Sequence, residues 1–395
     1  MKILSKKAWL CAFAVAVATL STTSCKDDNG DHLGNDELYK VILKEYVNTT
    51  VNPTYKALAE AALEMRKVNI ALRENPSDAN MQAASAAWMK ARIAWEVSEA
   101  FLFGPVGENA LDIDGHIDSW PLELVSITAE LKKIAKKLED GATVGLTGKE
   151  AWDMEAEVIG FHVTEYLLYR EGQARPIADL TTAELHYLTA ATDALVWDCV
   201  LAYVAWVGEE NVSAEMKAVF NENPDVVAHL NNNPAYKNFA ERLTTTEGYR
   251  SWGDALSEIA VGAAEIAGEV GATKIESPYV TRKTEEVESW YSWHSLDDYT
   301  NNIYSIKNAY LGGTGDNNRK ANCLSYYISQ VEPDLDKKVK AQIEDCITKI
   351  KAMGTGGLSF YEVVRDQVNK PQVEAAVDAC LELQRLFAMV DELVQ

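Results

Sequence analysis

The stretch PQVEAAVDACLELQRLFAMVDELV (Pro371–Val394) places Val373, Val377, Cys380, Leu383, Phe387, Val390 and Val394 at three- and four-residue steps. That spacing marks one face of an α-helix and excludes the two-residue alternation of a half-buried strand. Working outward, the same period recurs through most of the chain, with alanine frequent inside it. It predicts helices over 36–74, 78–103, 121–139, 148–170, 181–208, 235–271, 282–310, 319–352, 358–368 and 371–394. Breakers fall between them, among them Asn75-Pro76, Gly104-Pro105, Gly141, Asn223-Pro224, Ser277-Pro278 and Gly312-Gly313. Ser77 precedes the second helix, and Thr181 with Glu184 three residues on forms a capping-box pattern. Almost no alternating strand pattern is found. Long helices joined by short turns pack as antiparallel bundles. The expected fold is therefore all-α, in two packed helical-bundle domains, 36–176 and 177–395.

The chain has 395 residues and is 47% hydrophobic, ample for a large core. Its 37 basic against 60 acidic side chains give a formal charge of -23. Such a surface repels polyanions, and no basic block is present to meet phosphates, so no nucleic-acid partner is expected. The same field attracts cations, although acidity in bulk also serves solubility alone.

The N-terminus reads as a processing signal. Lys2, Lys6 and Lys7 precede the apolar run Ala8 to Leu20, and small residues lead to Cys25. The run is too short for a comfortable membrane span. The residues before Cys25 resemble a bacterial lipobox, with Thr22 where leucine is usual. Cys25-Lys26-Asp27-Asp28 resembles the surface-export signal of Bacteroidetes lipoproteins. The resemblance implies a signal peptide over 1–24, a lipid on Cys25 that holds the chain to a membrane, and an outer-membrane lipoprotein facing the periplasm or the cell surface. A secreted protein cut near Ser24 is the alternative. The Asp-, Asn- and Gly-rich run to about Asn35 is expected to be a flexible tether. Of the later cysteines, Cys199, Cys323, Cys346 and Cys380 are widely spaced. They read as buried small hydrophobes, or as one disulfide among the last three, and not as a zinc site.

The chemistry concentrates in Gly160-Phe161-His162-Val163-Thr164-Glu165-Tyr166-Leu167-Leu168-Tyr169. His162 and Glu165 stand one turn apart on a predicted helix. Such a pair binds one metal ion, forms an acid–base pair, or is a hydrogen-bonded core histidine. Gly160 inside this helix suggests the close approach of another backbone or of a ligand. The second helix aligns Trp88, Arg92, Trp95, Glu99 and Phe103 on one face opposite Ala84, Ala87, Ala91 and Ala94. Arg92 and Glu99 among large aromatics form a structural bridge or belong to a site. The loop from Leu111 to Pro121 gathers Asp112, Asp114, His116, Asp118 and Trp120, of which Asp112 and His116 read as solvated. Trp293 to Ile303 is similarly dense in polar and aromatic groups.

These residues resemble a known family. Gly160-Phe161-His162-Val163-Thr164-Glu165 resembles the G-x-H-x-x-E motif of imelysin-like proteins, also called the insulin-cleaving metalloprotease family, which includes iron-regulated lipoproteins. Trp95 to Gly104 resembles that family's aromatic helix. Asn301-Asn302-Ile303 through Asn308-Ala-Tyr310-Leu-Gly312 resembles its late Asn-x-Ile…Tyr-x-Gly helix. The resemblance implies a two-domain helical fold with the site at the domain interface. It implies His162, Glu165 and Glu99 as metal ligands, with Glu165 or Glu99 as the catalytic carboxylate, and Arg92, Asp118, Trp120, Ser295 and Asn302 as further binding residues. The expected cargo is a divalent metal, iron or zinc, or a small ligand, with uptake-system proteins as partners. A metallopeptidase using the His162–Glu165 pair is the alternative. A cell-surface interaction protein whose motif is purely structural is a third reading.

Overall fold

The computed structural model describes residues 32–395. The expected signal segment and Cys25 lie outside the described residues. The first helix begins at His32, earlier than the expected residue 36.

Among the described residues the fold is all-α. The one β pairing is the small hairpin of Tyr169–Arg170 with Gln173–Ala174. Helix Thr182–Val207 is apolar on every side and nearly all of it is buried. By length and composition it could cross a bilayer, but 94% of its most apolar window lies inside the protein, which makes it a core helix. The expected capping box starts it, with Thr181 and Glu184 exchanging hydrogen bonds. Helices Asn52–Glu74, Leu124–Glu139, Gly148–Trp152 and Gly160–Leu168 pack around it, and Asp78–Glu96 lies on Asn52–Glu74. A helix apolar all round has to be enclosed. Thr182–Val207 therefore sits with the helices before it, across the division expected at 176/177.

A second group contains Trp252–Gly268, Ser295–Leu311, Pro333–Met353 and Lys370–Val394. The stripe Val373, Val377, Cys380, Leu383, Phe387, Val390 and Val394 is buried here. The two groups meet where Asp78–Glu96 and the short turn Glu99–Phe101 rest on Ser295–Leu311 and Trp252–Gly268. Across this seam the Ala100 amide donates to Ser305 Oγ at 2.9 Å. The four described cysteines are buried and free, as small hydrophobes and not as a disulfide.

Three departures from the expected helices matter. The predicted helix 148–170 is interrupted: Gly148–Trp152 ends, and a new helix starts at Gly160. Gly160 thus opens the helix and is not inside it. The predicted helix 282–310 begins only at Ser295, and Thr284 to His294 is mostly loop. The predicted helix 78–103 stops at Glu96. In the segment 284–294, Glu288, Ser289 and Ser292 bond to Arg92, Asp298 and Glu165 instead of facing water, which overrides local helical propensity.

Candidate metal centre in the acidic cleft

Gly160 fixes the first element of the site. Its φ is +75°, and a Cβ there would stand 2.3 Å from the Ile117 carbonyl oxygen. Only glycine accepts both the left-handed backbone and that approach. The next residue along, Asp118, is thereby brought to His162: Nε2 lies 3.1 Å from Asp118 Oδ1. On the other side of the ring, His162 Nδ1 lies 3.2 Å from Glu165 Oε2. Glu165 Oε1 accepts from the Tyr291 amide at 3.1 Å, and from the Ser292 amide and hydroxyl, each at 2.7 Å. Four donors fill the acceptor sites of this carboxylate. Glu165 therefore orients the imidazole and fastens the loop 284–294 from the opposite group of helices.

Arg92 is fully buried beside His162. Its guanidinium pairs with Asp118, with Glu96 at 2.5 Å and with Glu288 at 2.7 Å, and it faces Asp298 at 3.8 Å. Trp95 Nε1 donates to Asp118 Oδ2 at 2.7 Å. Asn302 donates to Glu96, Ser289 to Asp298, and Ser295 Oγ to the Glu288 carbonyl at 2.5 Å. Trp120 lies against His162, with ring centroids 4.9 Å apart.

The cluster opens on a cleft of about 230 Å³ lined by Glu99, Asp114, Asp118, Trp120, Lys274 and Glu288, among others. Six carboxylates (Glu96, Glu99, Asp118, Glu165, Glu288, Asp298) here face three basic groups (Arg92, His162, Lys274). Burial pulls the His162 imidazole down, but hydrogen bonds to Asp118 and Glu165 outweigh it and raise it to about 9. Burial also works against an ionised Asp118, yet Arg92 and His162 hold it below the usual carboxylate range. Burial drives Glu99 and Glu96 well above it, and brings Asp298 to about 7 against the pull of Arg92. Asp114 is raised to about 7 by burial and by the charges of Asp118 and Glu269.

Two overlapping sets of ligand-type atoms lie within 4.8 Å of one another: Asp118, His162 and Glu288; and Glu96, Glu99 and Asp118. Asp118 belongs to both, and Glu165 to neither. The expected trio His162, Glu165 and Glu99 is thus not gathered around one point. Arg92, Asp118, Trp120, Asn302 and, through the Glu288 backbone, Ser295 do converge with His162. The Arg92–Glu99 bridge is absent: Arg92 takes Glu96 instead, while Glu99 has only Lys274 at 4.0 Å. His116, read as solvated, pairs with Asp198 at 2.7 Å and with the Trp152 carbonyl at 3.1 Å. Glu96, Glu288 and Lys274 escaped the sequence reading, and Asp298, within the polar stretch Trp293 to Ile303, was not singled out as a site residue. Glu96 had a usable signal, standing four residues after Arg92 on its helix. Glu288 lay hidden in a stretch that reads as continuous helix.

The family model described as Imelysin, peptidase M75, matches residues 51–389. The chain belongs to the imelysin family. Among curated relatives, iron-regulated protein A of Synechococcus elongatus is 24% identical over 301 residues, which cover 76% of this chain and 72% of that one. Among solved structures, a protein described as an iron-regulated protein A precursor from Parabacteroides distasonis superposes with a TM-score of 0.74 at 25% identity, over 91% of this chain and 96% of that one. An imelysin-like protein from Psychrobacter arcticum shares the fold, with a TM-score of 0.62 at 15% identity over 89% and 93% of the two chains. This imelysin thus matches the two solved structures over 96% and 93% of their chains.

Proposed function

We propose that this imelysin captures a divalent metal ion, iron foremost, in the acidic cleft, and that it does so as an outer-membrane lipoprotein held by Cys25, on the periplasmic or cell-surface side, within a metal-uptake system. The observation that carries this reading is Asp118, shared by both ligand sets at the edge of an open cleft. Among the described residues Glu288 Oε2 has no hydrogen-bond partner, and the cation nearest Glu99 is Lys274 at 4.0 Å. A buried carboxylate oxygen without a donor is costly, and a bound cation removes that cost. Carboxylates with one imidazole suit iron, manganese or zinc. His162 would bind through Nε2 after giving up its proton, with Glu165 holding Nδ1, the usual support for a ligating histidine. Arg92 spaces the carboxylates from behind. The name borne by two relatives, iron-regulated protein A, favours iron as the cargo.

The test is equilibrium dialysis of the purified protein against Fe²⁺ and Mn²⁺ without oxygen, with the bound metal counted by mass spectrometry. Stoichiometric binding is expected, weakened about 100-fold or more in Asp118→Asn. A wild-type protein that binds neither ion, or an Asp118→Asn protein that binds both normally, overturns the reading.

The family's peptidase designation and Glu99, whose nearest cation is Lys274, support a second reading. In that reading Asp118, His162 and Glu288 would hold a metal that activates water, Glu99 would serve as general base, and Glu165 would hold His162. Metal-dependent peptide cleavage that disappears in Glu99→Gln and Glu165→Gln would favour it; binding without cleavage favours the carrier.

A further inference from the structure

The helix from Trp252–Gly268 widens into the π-helical stretch Glu269–Glu276 before resuming at Ser277–Thr281. Such widenings often mark functional positions. Lys274 sits in this one and points into the cleft, with its side chain 11% exposed. Its Nζ lies 3.3 Å from Glu288 Oε1, 3.5 Å from Asn302 Oδ1, 3.8 Å from Glu269 Oε1 and 4.0 Å from Glu99 Oε2. A well-formed ammonium–carboxylate hydrogen bond spans about 2.7–2.9 Å. All four separations are longer. The ammonium is held by the summed field of several oxygens and by no single strong bond. That is how a loosely bound cation sits in an oxygen cage, here supplied by the chain itself.

Two of these oxygens, on Glu99 and Glu288, come from side chains in the ligand sets around Asp118. The other acidic partner, Glu269, is half-exposed, and Glu286 lines the same cleft. A lysine stem is long and flexible enough to carry its charge from a buried position to a rim. Moving outward, the Lys274 ammonium keeps an acidic partner and gives up no short hydrogen bond.

We propose that Lys274 is a built-in competitor for the metal: its ammonium offsets part of the cleft's negative charge, and an entering divalent cation displaces it to the rim at Glu269 and Glu286. The proposal rests on the cation reading above and deepens it. Occupying the carboxylates in advance weakens binding and eases release, which suits a carrier of cargo better than a resident cofactor site. Like charges competing for the same carboxylates repel, and displacing the ammonium forfeits its attraction to Glu99 and Glu288, so its removal should tighten cation binding by about tenfold or more.

Mn²⁺ binding is therefore to be measured by titration calorimetry on the wild type and on Lys274→Met, Lys274→Gln and Lys274→Arg, with the fold checked by circular dichroism. The Met and Gln variants are expected to bind Mn²⁺ about tenfold or more tightly than wild type, and the Arg variant no more tightly. Unchanged or weaker binding in a folded Met or Gln variant overturns the proposal, as does tighter binding in Arg. A second measurement uses the wild type alone: acylation of Lys274 by an amine reagent, followed by peptide mass spectrometry, should accelerate several-fold when Mn²⁺ is present. Equal labelling with and without Mn²⁺ also overturns it. Failure of the wild type to bind Mn²⁺ sinks the cation reading itself, whereas normal binding with unresponsive variants sinks only the role of Lys274.

Discussion

Gly160→Ala tests how the motif is built, without touching any charged group. Two costs arise. A side chain at φ +75° pays about 1–2 kcal/mol for the left-handed backbone. The new Cβ would also lie 2.3 Å from the Ile117 carbonyl oxygen, far inside contact distance, and backbone cannot yield as a side-chain tip does. Overpacking of this kind adds about 1–3 kcal/mol, while the stiffer unfolded chain returns about 0.4–1 kcal/mol. A net loss near 3 kcal/mol is expected. Gly141→Ala is the matched control: φ there is +94°, but a Cβ meets nothing within 4 Å. It should lose only the backbone part, about 1 kcal/mol. Urea unfolding followed by tryptophan fluorescence reads both values. Pushing Ile117 aside also moves Asp118, so Gly160→Ala should weaken Mn²⁺ binding at least tenfold while Gly141→Ala leaves it alone. Equal stability losses in the two variants, or intact metal affinity in Gly160→Ala, would refute the reasoning.

Glu165→Ala strands four donors, His162 Nδ1 among them, and should cost about 3–5 kcal/mol; hydrogen exchange should show the Tyr291 and Ser292 amides losing protection first. His162 has a folded value of about 9 against an ordinary 6.5, so its stabilisation is complete below about pH 6.5 and lost as pH rises through 9. That is about 3 kcal/mol, visible as a fall in unfolding free energy over that window that Gln at position 162 should flatten. Asp114, raised from 3.8 to about 7, acts in the same sense at lower pH, because the folded state holds its proton longer. Metal-free stability should therefore decline toward neutrality, and Mn²⁺ should raise the melting temperature more at about pH 7.5 than at about pH 5, as read by calorimetry.

Part of the cleft is legible in the sequence. Arg92 in a stripe of tryptophans demanded carboxylate partners, and His162 with Glu165 marked a polar centre. The partners themselves were not legible. Glu96 stands four residues after Arg92 but inside the helix predicted over 78–103, where it reads as a surface glutamate, and Glu288 sits among Glu285, Glu286 and Ser289, where a solvated helix is the natural reading. Both are decided by where Ser295–Leu311 docks on Asp78–Glu96, a packing of segments about two hundred residues apart. Glu165 shows the same limit in reverse. Its spacing from His162 suggests a shared ion, but three donors from the loop at Tyr291 and Ser292 turn it into a clasp.

The sequence by itself determined the helical class, the buried stripe of residues 371–394 and the acidic character of the chain, because periodicity and charge act locally along the backbone. It also suggested a close approach at Gly160, though it placed that residue inside a helix and not at its start. Tertiary structure alone decided what that glycine faces, which carboxylates gather at Asp118, and that Lys274 fills the space among them. Those outcomes depend on the meeting of two separately packed groups of helices, and burial there turns solvated surface charges into strongly coupled ones.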